Sequence, residues 1–508
     1  MFNQVLSAAL VGLNAVPVWV EADVSDGLPS FSMVGSLGHQ VRESQDRIRT
    51  ALKNMSLALP PKRITINLSP ADIHKEGTRF DLAIALAILM SVGRVKDAAL
   101  DHVMVVGELS LDGSVNAVPG VLGTVMAARE QGCHMCLVPM ANLKEGRLID
   151  KIKVYGVAHL SDAIRVLNEG YREQEGVGDK PLLNQYKEDF SEILGQASVK
   201  RSALIAVSGF HNMLMSGPPG AGKTLVARRL VTILPPLSME ESLEITQIYS
   251  VAGLLKDGDA MMTRRPFRSP HHTATAQALS GGGRIPRPGE ITLAHRGVLF
   301  LDEVPEFPRN TLEILRQPLE DRQITIARAS GSYVFPANFL LLAAMNPCPC
   351  GYWPDMNRCR CREGDILRYH NKLSQPLLDR IDIRTEVRAL GYDVLKQTGR
   401  DAIDSAQLRE QAERVHKIQR QRYKGADFMY NAEIPSRAIG EFCPMTTAAE
   451  LELEKIFNKM SLSARGYHRL IKLSRTIADL DGAEVIDVPH IKEAFIMRSP
   501  DGRQGLGI

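Results

Sequence analysis

No stretch of this 508-residue chain stays apolar long enough to cross a bilayer as a helix, so no membrane partner is expected. Net charge is also lacking. The 61 Lys and Arg against 58 Asp and Glu leave a formal +3, so no global basic field draws in nucleic acid and any such site must be local. Cysteine is scarce. Seven in a chain of this length do not make a secreted disulfide scaffold. The apolar start MFNQVLSAALVGLNAVPVWVEADV lacks a basic opening and a cleavage site and then alternates like a strand, which argues against a signal peptide. A cytosolic compartment is expected. Short-period repeats and long low-complexity tracts are missing as well.

What is present is an ordinary globular composition in a chain too long for one core, so about two to four domains are expected. Residues 1–168 mix strands and helices: Arg63–Leu68 alternates like a strand and Phe80–Met90 reads as an apolar helix. Residues 169–187 are polar, with Gly176, Gly178 and Pro181, and read as a linker. Residues 188–390 form an α/β unit, and 391–508 read as helical and charge-rich. The fold class is thus α/β and multidomain.

The octapeptide Gly217-Pro218-Pro219-Gly220-Ala221-Gly222-Lys223-Thr224 fits the phosphate-loop pattern G-x-x-x-x-G-K-[ST] in full. An apolar strand, Met213–Met215, leads into it, and Val226, Leu230, Ile233 and Leu234 follow at helical spacing. Glycines let backbone N–H groups turn toward phosphate oxygens, and a helix N-terminus favours negative charge. Lys223 is expected to hold the β- and γ-phosphates of ATP, and Thr224 to ligate Mg²⁺. Further on, the apolar run Val298–Leu301 ends in Asp302 and Glu303. Acids at the carboxyl end of a buried parallel strand suit metal binding by Asp302 and water activation by Glu303. A third apolar run, Phe339–Met345, ends at Asn346, which either orients the attacking water, senses the γ-phosphate, or merely starts a turn before Pro347. In Leu377-Leu378-Asp379-Arg380-Ile381-Asp382, Arg380 is either an arginine finger acting on a neighbouring subunit or a surface ion pair.

These motifs, in this order, resemble an AAA+ ATPase of the magnesium-chelatase and MCM-like branch. The resemblance implies hexameric rings with shared sites. It assigns the second sensor to Arg465, in Ser461-Leu462-Ser463-Ala464-Arg465, with Arg469 the competing position. Residues 1–168 resemble the S5-like proteolytic domain of Lon through Lys75–Asp81, Gly107-Glu108-Leu109, Val115–Gly120 and Leu137-Val138-Pro139. The Lon serine position falls on Arg79 and its lysine position on Leu122. Neither can activate or act as a nucleophile, so no peptidase activity is expected. A degenerate Lon-like domain, a chelatase-like AAA+ module and a helical sensor-2 domain together resemble the ComM/YifB family across essentially the whole chain. Members are bacterial DNA helicases that promote branch migration as single-stranded DNA is integrated in natural transformation. The resemblance implies a DNA partner, recombination proteins and a homo-hexamer. A magnesium-chelatase ATPase subunit and a protein-remodelling chaperone are the rival readings.

Two inserts could meet DNA. The first carries Arg264, Arg265 and Arg268 with Phe267, His271 and His272, then Arg284 and Arg287 around a Gly281-Gly282-Gly283 run. It suits phosphate contact with some stacking, and also suits a solvated loop or a cofactor-contacting loop of a chelatase. The second, Ile324–Phe335, alternates around Ser330-Gly331 and predicts a β-hairpin, which makes Arg322 and Arg328 candidates. Finally, Cys348, Cys350, Cys359 and Cys361 form a C-x-C…C-x-C loop suited to structural Zn²⁺, with a reduced thiol loop as the alternative. Cys133 and Cys136 run into an apolar strand and are not expected to bind metal.

Overall fold

A computed structural model describes residues 1–96, 100–170, 186–255, 260–283, 286–328, 331–391, 403–460 and 462–498. Arg284, Ser461 and most of the expected linker lie outside the described residues. The chain divides into two compact units.

The first unit holds residues 1–182 together with Met239–Thr263 and Ile285–Pro288. Its large sheet has seven strands among the described residues: β1 (Phe2–Val11), β2 (Asn14–Ser25), β3 (Ser30–Val34), β4 (Arg63–Ser69), β5 (Val103–Val105), β6 (Met135–Pro139) and β7 (Lys153–Val157). They lie in the order β3-β4-β2-β1-β5-β6-β7. The β1–β2 and β2–β4 pairs are antiparallel, and the rest are parallel. Alternation in β4 puts Ile64, Ile66 and Leu68 in the core. The helix Asp81–Ser91 is apolar all round, as its sequence predicts, and every residue in it is buried. Its first residue, Asp81, accepts two hydrogen bonds from Arg47 (2.8 and 3.0 Å). Burial pushes the Asp81 carboxyl up to about 6 in spite of that partner. Arg79 is buried and donates to Thr124 Oγ1 (2.5 Å) and Pro119 O (3.4 Å). Thr124 shares the helix Val121–Glu130 with buried Leu122. Burial pushes the Arg79 guanidinium down to about 10, against the pull of nearby Glu145.

The second unit holds Leu183–Ser238, Arg264–Arg284 and the chain from Gly289 on. Five strands, β8 (Met213–Ser216), β9 (Phe267–Arg268), β10 (Val298–Leu301), β11 (Leu340–Met345) and β12 (Ile383–Glu386), form an all-parallel sheet in the order β9-β10-β11-β8-β12. Every residue of β10 and β11 is buried. That explains why both read as unbroken apolar runs: a parallel strand covered on both faces has no polar side. The helices Ala197–Gly209, Lys223–Ile233, Ser405–Arg422, Ala464–Leu480 and Val488–Arg498 share one hydrophobic core with this sheet. Each fully buried Leu, Ile or Phe there contributes about 1.5–3 kcal/mol. Polar ties cross the same core: His416 Nε2 to Val207 O (2.9 Å), Gln419 to Ser208 O (2.7 Å) and Asn431 to Thr476 (2.9 Å). The expected hairpin is present, with Gln323–Arg328 antiparallel to Gly331–Pro336. Among the described residues no helix is long and apolar enough to cross a membrane.

Candidate active site

The phosphate loop leaves β8, the strand flanked by β11 and β12. Its first glycine donates its N–H to Met345 O (3.2 Å) at the end of β11. Gly220 and Gly222 have φ of 76° and 94°, and a Cβ at either would meet nothing within 4 Å. The left-handed backbone explains the glycines, and the open space beside them is where a phosphate chain fits. The helix Lys223–Ile233 begins at once, so its first N–H groups have no intrahelical partners.

Lys223 is nearly buried, and its ammonium donates to Gly217 O (2.6 Å), Pro218 O (3.0 Å) and Asn346 Oδ1 (3.0 Å). Burial lowers its pKa, opposed by the charges of Asp302 and Glu303. Thr224 Oγ1 donates to Asp302 Oδ2 (2.9 Å). Three segments separated widely in sequence thus meet at the carboxyl edge of the sheet: the helix start Lys223-Thr224, Asp302 after β10 and Asn346 after β11. Glu303 follows directly, with φ of 48°, and its Oε2 lies 3.7 Å from His272 Nδ1. His272 was expected only as part of a basic insert. Its place beside Glu303 comes from β9 pairing with β10, which no local sequence signal announces.

Arg380 and Arg465 meet on one partner, Glu320. Arg380 is buried, donates to Pro376 O (2.7 Å) and pairs with Glu320. The exposed Arg465 reaches the other Glu320 oxygen (3.2 Å). Glu320 has no motif around it, and the sequence gives no sign of this role. Arg469, the competing sensor position, donates to buried Asp382 (2.6 Å). Burial works against the Asp382 charge, but Arg469 and His211 outweigh it and hold the carboxyl far below the usual range.

The candidate DNA residues separate. Arg265 departs from expectation. It is buried, and its guanidinium donates to the carbonyls of Pro235 (2.7 Å), Arg296 (2.7 Å) and Pro236 (3.4 Å), so it is not presented to a ligand. Arg268 is half-buried and bidentate on Glu290 (2.7 Å for both bonds). Arg322 donates to Asn338 (2.8 Å) and lies 3.5 Å from Glu433. Arg264 lies over the Tyr186 ring (5.4 Å), Arg287 is exposed, and exposed Arg328 donates to Gly283 O (3.3 Å). The hairpin and the glycine run of the first insert therefore touch, around a cavity lined by Gln277, Ser280, Glu313, Gln317 and Thr325.

The four cysteine ligand atoms lie within 4.8 Å of one another. Three Sγ separations are 3.3, 3.8 and 3.6 Å. Tetrahedral Zn²⁺ with Zn–S near 2.3 Å needs sulfurs about 3.8 Å apart, so the donor set fits that ion. Among the described residues this is the one group of three or more His, Cys, Asp or Glu residues that could hold a metal ion.

Comparison with known proteins accords with this geometry. Three family models match: "Magnesium chelatase, subunit ChlI" over residues 189–395, "Subunit ChlI of Mg-chelatase" over 20–142, and "Magnesium chelatase, subunit ChlI C-terminal" over 402–498. The chain is 41% identical to the competence protein ComM of Haemophilus influenzae, over 97% of each chain. It is 40% identical to the uncharacterized protein YifB of Salmonella typhimurium, over 97% of this chain and 96% of that one. The magnesium-chelatase 38 kDa subunit of Rhodobacter capsulatus is more distant, at 22% identity over 61% of this chain and 85% of that subunit.

Proposed function

The chain belongs to the ComM/YifB family of magnesium-chelatase-like ATPases, and from that premise we propose that it is an ATP-driven, ring-forming DNA motor acting in recombination during natural transformation. The observation that carries the ATPase part is the meeting of Lys223 with Asn346 and of Thr224 with Asp302. In this reading Lys223 and the loop N–H groups bind the β- and γ-phosphates, and Thr224 and Asp302 hold Mg²⁺. Glu303 takes a proton from the attacking water, and Asn346 senses the γ-phosphate. Mg²⁺ neutralises phosphate charge when bound. Arg380 and Arg465 complete the site of a neighbouring subunit in a hexamer.

The DNA part rests on the competence relative and on the basic inserts, with Arg264, Arg287 and Arg328 as the contacting side chains. Branch migration is the family activity it fits. Residues 1–168 read as a Lon-protease-like domain without peptidase chemistry, with Arg79 and Leu122 at the dyad positions. The cysteine loop reads as a structural Zn²⁺ site, since four thiolates leave no open position for hydrolysis.

The test is ATP turnover with and without forked or three-stranded DNA, together with strand displacement. DNA-stimulated turnover and displacement, both lost in Lys223→Ala, support the reading. The second reading, a chelatase-type ATPase subunit, is favoured by the Rhodobacter match. Porphyrin-dependent turnover without DNA stimulation would establish it instead.

A further inference from the structure

Resting on the zinc reading above, we propose that the metal-bound cysteine loop buttresses the phosphate loop, so that metal occupancy sets the affinity for ATP. Three observations converge. Cys348 lies two residues beyond Asn346, the side chain that accepts from Lys223. Gly351, between the two C-x-C pairs, has φ of 85°, and a Cβ there would sit 2.5 Å from Cδ and 2.7 Å from Cγ of Pro219. The backbone of the cysteine loop thus lies directly against the ring of a phosphate-loop residue. Behind it, the carbonyl of Pro347, between Asn346 and Cys348, accepts from His370 Nε2 (3.0 Å) in the helix Glu363–His370 that closes the loop.

Turn hydrogen bonds run within the loop, among them Cys359 N to Asp355 O (2.7 Å), but its apolar core is small. Its own core is Cys348, Cys359 and Ile366, with Tyr352 and Trp353 partly covering it. So small an apolar cluster cannot fix a conformation unaided, and a structural metal supplies that free energy where a core is too small. The N–H groups of Gly351 and Trp353 point at Cys348 Sγ (3.2 and 3.4 Å), which ties the backbone facing Pro219 to a metal ligand. Metal binding therefore orders two walls of the nucleotide site together: Asn346 through the chain, and Pro219 through contact. Gly351 and the cysteines are positioning residues here, acting through Asn346 and Pro219.

The experiment uses the full-length protein with DNA present. Metal analysis without added zinc should give about one Zn per chain. Chelation should raise the KM for ATP and the Kd for a non-hydrolysable ATP analogue about tenfold, with kcat at saturating ATP changed less, and Zn²⁺ alone should restore both. Gly351→Ala should do the same with zinc content unchanged, because it collides with Pro219 and leaves the thiols intact. Gly425→Ala is the control. It has a similar φ of 88° but nothing within 4 Å of its Cβ, so it carries the backbone strain without the contact. Metal-free native protein overturns the zinc reading and this proposal with it. Zinc present, but ATP affinity unmoved by chelation and by Gly351→Ala, overturns the coupling alone. Equal losses in Gly351→Ala and Gly425→Ala also overturn it.

Discussion

Replacing Asp382 by Asn removes one negative charge at nearly constant shape from the centre of the second unit. Asp382 is 4% exposed. It accepts from Arg469 Nη1 (2.6 Å) and Asn212 N (3.2 Å), with His211 Nδ1 at 3.4 Å. Removing one partner of a buried ion pair costs about 3–5 kcal/mol, because the other charge is left without compensation. Arg469 keeps 22% side-chain exposure and can turn partly to water, which lowers the expected loss to about 2–4 kcal/mol. Arg469→Met in the same chain removes the stranded charge, so the double variant should be more stable than the sum of the singles by about 1–3 kcal/mol. Trp353 lies in this unit, so urea unfolding followed by its fluorescence in a Trp19→Phe background reads the right transition. The pH dependence has a definite sign. The folded carboxyl is held below the ordinary 3.8, so its stabilisation is complete above about pH 4 and is lost as pH falls further. The gap between wild type and Asp382→Asn should therefore narrow in acid. A single-variant loss under about 0.5 kcal/mol, or strict additivity in the double variant, would refute the reasoning.

Glu303→Gln should retain ATP binding and lose turnover by about 10²–10⁴-fold, measured as phosphate release on forked DNA. Lys223→Ala should lose both turnover and nucleotide affinity, measured with a fluorescent ATP analogue. Arg328→Ala should weaken single-stranded DNA binding and flatten its salt dependence by about one unit of slope. Arg265→Ala should instead cost about 1–3 kcal/mol of stability, read by thermal unfolding, because the buried carbonyl of Pro235 and the more open ones of Arg296 and Pro236 lose their donor. Glu320→Ala strands buried Arg380 and should lower stability by about 1–3 kcal/mol, with Glu320→Gln milder.

What the sequence by itself determined about this protein was local. The phosphate loop is contiguous, and its glycines and lysine state their chemistry where they stand. The acid-ended strand, the Asn-ended strand, the hairpin and the paired C-x-C steps are likewise short patterns whose spacing reflects backbone geometry. So the strands, helices and most of the residues gathered around the phosphate loop were legible. The tertiary structure decided which distant residues meet. Glu320 joins Arg380 to Arg465, Asp382 takes Arg469, and His272 lies beside Glu303, all through strand order and helix packing. It also decided which arginines face outward. Arg264 and Arg265 are neighbours of one residue type, yet Arg265 is buried under three carbonyls. A charge in sequence has no direction until the fold supplies either water or partners, and only packing makes that choice.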